Sequence, residues 1–178
     1  MPSSHEEGIF SEREVSELSK LRRLPVYLCI LGILLGLGDV LSQPCLFVKA
    51  GGQRVAVVPA APGTSFTIHF IHSVQKTPVW ENLAVAPDGS SFVLHSTRYQ
   101  SFGVGLPFLE QEGNFRQEGD YYIMDDMERH FPRLTLRTGV GTKLTLTLGG
   151  RRYRLYESYP PGTPVELFVS PLGKGMLL

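Results

Sequence analysis

Two short segments concentrate the side chains able to do chemistry: Ile71-His-Ser-Val-Gln-Lys-Thr-Pro-Val-Trp-Glu81 and Arg98-Tyr-Gln-Ser-Phe-Gly-Val-Gly-Leu-Pro107. In the first, His72, Lys76 and Glu81 flank a Thr77-Pro78 corner, which should end one strand, start the next and gather polar groups at a sheet edge. In the second, Arg98 closes a strand, and Ser101, Gly103 and Gly105 open a loop whose amides could point at an anion. The guanidinium of Arg98 supplies a two-pronged donor for a carboxylate, so a small organic acid suits the pairing. A structural reading stands beside this one. In it Lys76 and Glu81 form an ion pair, Arg98 caps loop carbonyls and the glycines permit positive φ at a turn. Trp80, Phe102, Leu106 and Phe108 then bury apolar area, with Pro78 and Pro107 setting corners.

Catalytic chemistry finds less support. His72 and Ser73 are neighbours on an extended chain and point to opposite faces, so this histidine cannot activate that serine. There is no G-x-S-x-G elbow, and Gly103-Val-Gly105 lacks the third glycine and following helix of a dinucleotide or phosphate site, so no cofactor is expected. His69 and His72 also fall on opposite faces of a strand and do not chelate as a pair. A set of His72, Glu81 and His95 could meet across strands in a suitable register, which leaves an envelope hydrolase or metal-dependent enzyme using His72 and Glu81 as the alternative function. The run Asp125-Asp126-Met-Glu128 before His130 lacks the alternating oxygens and turn glycine of a calcium loop and reads as a solvated loop.

The elements that must position these residues are strands. Ten β-branched and aromatic runs follow one another: 46–49, 54–58, 65–72, 79–86, 91–100, 121–124, 133–137, 143–148, 151–157 and 165–169. Pro87-Asp-Gly89 marks a tight turn, and Gly139-Val-Gly141 and Gly149-Gly150 join three further runs into a meander whose period of two sends Leu134, Leu136, Leu144, Leu146 and Leu148 to the core. The connection from Ser101 to Asp120 has few β signals and reads as a long loop. No sustained helical period interrupts the pattern, so the expected fold is all-β: an antiparallel sandwich or partly open barrel.

The chain has 178 residues with 17 basic and 17 acidic side chains, and this balance argues against a nucleic-acid partner. Its two cysteines, Cys29 and Cys45, exclude a disulfide inside the β domain, and Leu41-Ser-Gln-Pro44 is a poor lipidation signal for Cys45. The basic cluster Lys20, Arg22, Arg23 precedes an apolar run from Val26 to Leu37. Three parts follow: a cytoplasmic tail over 1–24, an apolar helix over 25–41 and an extracytoplasmic β domain over 42–178. As a helix, Val26 to Gly38 spans about 20 Å, the length of a signal peptide, whereas Leu24 to Leu41 spans about 27 Å, enough for an anchor with Pro25 in its first turn. The protein is thus expected at the cell membrane, single-pass with its N-terminus inside, or secreted after cleavage.

The two segments resemble the signature stretches HSV-x-K-TPV-x-E and RYxSFGxGLP of the bacterial family catalogued as domain of unknown function 1850, and the similarity extends over roughly Leu46 to Leu172. Members of that family are often encoded beside the fused permease of TRAP-type transporters with TAXI-type binding proteins, which move organic acids on an ion gradient. The resemblance therefore implies a non-enzymatic accessory or interaction module, with the permease or its solute-binding protein as partner.

Overall fold

The structure, a computed structural model, describes residues 12–101, 107 and 110–178. Gly103 and Gly105, with Phe102, Leu106 and Phe108, lie outside the described residues. The chain divides into two compact units, Met1–Leu41 and Ser42–Leu178.

The first unit carries helix α1, Glu12–Ser42, in which Pro25 sits well inside rather than in the first turn. Its stretch Arg23–Ser42 has 20 residues and is long and apolar enough to cross a membrane, about 30 Å at 1.5 Å per residue. No side chain of that stretch is buried within the protein. This is what a signal sequence or a membrane anchor requires.

The second unit is mostly antiparallel β-structure. Its strands are β1 (Pro44–Ala50), β2 (Gln53–Pro59), β3 (Ser65–Ile71), β4 (Pro78–Val85), β5 (Phe92–Tyr99), β6 (Asn114–Glu118), β7 (Tyr121–Asp125), β8 (Arg129–Phe131), β9 (Leu134–Arg137), β10 (Thr145–Leu148), β11 (Arg151–Arg154) and β12 (Pro164–Pro171). The short helices α2 (Leu155–Ser158) and α3 (Leu172–Leu177) follow β11 and β12. A small sheet has the order β2-β1-β12-β9, and a larger one has β11-β10-β3-β4-β5-β7-β6 with β8 beside β5. Both sheets are open. Leu46, Val48, Val165, Leu167 and Leu134 from the small sheet meet Phe66, Ile68, Leu83, Phe92, Met124 and Leu146 from the large one in a shared core.

Four sequence expectations need correction. The Ser101–Asp120 connection contains β6, whose five residues are all exposed and polar but for Phe115. The acidic run stays a loop over 126–128, but Arg129–Phe131, outside every expected strand, forms β8. The Arg151–Glu157 run leaves the sheet at Arg154 and turns into α2. The proposed meander is broken as well: β9 pairs with β12 in the small sheet, whereas β10 pairs with β3 and β11 in the large one. Gly139-Val-Gly141 is therefore a crossover between sheets. The leucines of β9 and β10 do point to the core, but from opposite walls, a distinction that period-two alternation cannot make.

The Pro87-Asp-Gly89 turn does join β4 to β5. Asp88 Oδ1 accepts the N–H groups of Ser90 (2.8 Å) and Ser91 (3.1 Å), and Gly89 supplies the left-handed φ of +65° that the turn requires.

Candidate functional site

Antiparallel pairing brings the two polar segments together. Strand β4 carries Trp80 and Glu81, strand β5 carries Arg98, and the register sets Trp80 opposite Arg98 and Glu81 opposite Thr97. At the adjoining corner, the chain from β3 to β4 is closed by His72 N–H donating to the Thr77 carbonyl (2.8 Å) and Lys76 N–H donating to the His72 carbonyl (2.9 Å). His72 is only 9% exposed, and its Nδ1 accepts the backbone N–H groups of Val74 (3.3 Å) and Gln75 (3.1 Å). This histidine therefore organises the turn with one of its two ring nitrogens. Lys76 is exposed in the left-handed region at φ 57°, and Ser101 Oγ donates to Gln75 Oε1 at 3.3 Å, tying the end of β5 to the same corner. Thr77 Oγ1 is buried there with no hydrogen-bond partner among the described residues.

Pleating splits what the sequence groups. Glu81 lies opposite Ile68 and Thr97, in the row of core-facing residues, whereas Trp80 and Arg98 belong to the outer face. Glu81 and Arg98 do not meet, and no ion pair links Lys76 to Glu81 among the described residues. Nor do His72 and Glu81 converge, since the Phe70–Val79 pair separates them along the β3–β4 ladder. His95 is exposed as the extra residue of a bulge between Leu94 and Ser96. No group of three His, Cys, Asp or Glu side chains able to hold a metal occurs among the described residues.

The outer face holds an aromatic and cationic patch. The Arg98 guanidinium lies 3.8 Å from the Tyr121 ring centroid and 5.5 Å from that of Trp80. Trp80 in turn contacts Tyr121 edge-on at 5.8 Å and His69 at 4.8 Å. Stacking occupies the flat face of a guanidinium and leaves its in-plane N–H donors free. Arg98 is exposed and has no carboxylate partner among the described residues. Arg116, by contrast, is neutralised by Asp125 and Glu118, and Arg133 by Glu166. One row away, Thr67 Oγ1 donates to Asn82 Oδ1 and Asn82 Nδ2 donates to Ser96 Oγ, each at 2.9 Å, giving the patch a polar border. Burial and the Arg152 charge hold the His69 imidazole below its usual range.

The opposite face of the same strands is apolar around Glu81. Val79 and Tyr99 are fully buried against Phe70 and Tyr122. The Tyr99 hydroxyl donates to the Pro107 carbonyl, and its phenol is pushed up to about 12 by burial, with Glu112 and Tyr122 adding to the effect. Tyr99 therefore stays a hydrogen-bond donor across the physiological range. Sequence reasoning named Arg98 but missed Tyr121 and His69 as its companions. The signal available was their shared outer parity, which becomes readable only when the strand order is known.

Fold and site define a two-sheet antiparallel β domain with an exposed aromatic and guanidinium face, preceded by one apolar helix. The chain belongs to the family described as Domain of unknown function (DUF1850), whose model matches residues 66–155. That span runs from β3 through β11, so it holds nearly all of the large sheet while β1, β2 and β12 of the small sheet lie outside it. It is shorter than the extent read from the two segments, Leu46 to Leu172. No curated protein and no solved structure matches the chain.

Proposed function

We propose that this protein is a non-enzymatic, membrane-anchored accessory module whose β domain faces the outside of the cell and recognises a carboxylate through Arg98. The observation that carries this reading is a guanidinium fixed on Tyr121 and Trp80 with its edge donors unpaired among the described residues. Orientation by the stack lowers the entropy lost when two parallel hydrogen bonds form to a carboxylate. Lys76 and Ser101, at the neighbouring corner, extend the contact surface, with Gly103 and Gly105 next in the sequence as further candidates. The family resemblance suggests the setting: a TRAP-type permease or its TAXI-type solute-binding protein as partner and an organic acid as solute. Glu81 and His72 then serve the fold beneath and beside that surface.

The test is charge reversal, Arg98→Glu, in cells that take up a labelled organic acid through the adjacent transporter, with cross-linking and affinity capture of the tagged full-length protein in parallel. Removing a charge-assisted bidentate contact costs about 2 kcal/mol, so capture of the permease or binding protein should fall about thirtyfold, and uptake with it. Unchanged uptake together with unchanged capture would remove the outer face from the mechanism.

A further inference from the structure

Strand β2 ends the small sheet and β11 ends the large one, so each is paired on one side alone among the described residues. These two free edges face each other across a cleft of about 590 Å3 lined by both, which adjoins a second hollow of about 420 Å3 sharing Val55, Arg152 and Tyr153. The floor is the rim of the core: Val55, Val58 and Tyr153 pack against it half-buried, and Leu148 is buried beneath. The approach is close, since a Cβ on Gly149 would stand 3.9 Å from Val58 Cγ1.

Charge around the cleft has one sign. Arg151 and Arg152 on β11 are exposed and form no ion pair among the described residues, whereas Arg54 on β2, also exposed, donates Nη1–H to Met176 Sδ of α3. The one acid in the lining, Glu157, is already paired with Arg154 at 3.3 Å. An acyl chain would fit the apolar floor but cover the free N–H and C=O groups of the edges without pairing them. An extended peptide satisfies the floor, the edge and the charge together.

We infer that this cleft receives an extended acidic segment of a partner protein, which adds as a strand to the free edge of β2. The seven residues of β2 run about 24 Å at 3.4 Å per residue, against four residues in β11, so β2 is the edge long enough to hold it. Alternate apolar side chains of the segment enter the floor at Val55 and Tyr153, and its carboxylates meet Arg151 and Arg152. Arg98 itself lies beyond the cleft, because β10, β3 and β4 separate β11 from β5, while Arg152 borders the Arg98 face through its charge on His69.

Fluorescence polarisation on the full-length protein in detergent tests this. The probes are a labelled peptide of about seven residues alternating valine and glutamate, a copy N-methylated at alternate positions on both edges, and a copy with lysine for glutamate. The valine–glutamate peptide should bind saturably, and N-methylation should weaken it about tenfold or more, the effect of losing a few net backbone hydrogen bonds. Binding should also fall in about 1 M salt, where charges are screened over about 3 Å. The double variant Arg151→Glu with Arg152→Glu should prefer the lysine peptide, a gain of binding that unfolding cannot produce. Equal binding of the N-methylated copy, failure of the acidic peptide to saturate, or binding of oleate in its place would each overturn the proposal.

Discussion

On strand β4, Glu81 has Ile68 on one side and Thr97 on the other, and burial pushes its carboxyl above the usual range while the Arg129 charge pulls the other way. A folded-state pKa above the unfolded one means that the neutral form is the one folding favours. Its contribution to stability is then complete below the unfolded value and is lost as pH rises through the folded value. Glu81→Gln removes that loss, so thermal melts near pH 7 should give a Tm a few degrees above the parent, and the gap should close near pH 4. A lower Tm for the variant near pH 7 would instead mean that Arg129 holds the carboxylate as a true ion pair. The neighbouring Arg98 should show little effect on stability when changed to lysine, since an exposed stack contributes about 0.5–1 kcal/mol. Capture of the proposed transporter partner should nonetheless fall in Arg98→Lys almost as far as in Arg98→Glu, because an ammonium does not reproduce the planar fork. Residue type and spacing were enough to single out His72, Lys76, Glu81 and Arg98. They could not say that Glu81 turns inward while Arg98 turns outward, because that depends on which strands flank β4 and in what register.

Among the elements, α3 shows how little sequence signal a decisive contact needs. Phe47 and Phe168 stack at 5.4 Å on the side of the small sheet away from the shared core, and α3 covers them with Leu172 and a buried Gly175. A Cβ at Gly175 would overlap the Phe47 ring, so Gly175→Ala must push α3 outward. Overpacking of this kind costs about 1–3 kcal/mol, which a urea titration should resolve, with Lys174→Ala on the exposed side of α3 as the unaffected comparison. Ten strands were legible because each combines β-branched or aromatic residues with a turn signal. Strands β6 and β8 were not, because Asn114-Phe-Arg-Gln-Glu118 and Arg129-His-Phe131 are short and mostly polar and are placed by their neighbours β7 and β5. The sheet change between β9 and β10 was also hidden, since both strands present leucines to the same core.

At the scale of the molecule, the apolar 20-residue stretch of α1, Arg23–Ser42, precedes the domain. If it anchors, the full-length chain should stay in the membrane pellet after alkaline carbonate extraction, and protease added to intact spheroplasts should digest the β domain. Recovery of a shortened, soluble form would identify the helix as a cleaved signal. The pairing of β1 with β12, seven register pairs from Pro44↔Pro171 to Ala50↔Val165, has a further bearing on such a journey. The small sheet has the domain's first and last strands side by side at its centre, so under the proposed outward orientation it would close only after β12 had crossed the membrane. Before β12 arrives, β1 lacks one of its two neighbours, and a chain exported as proposed would stay threadable until then. In that setting the fold would defer its own completion until export was finished.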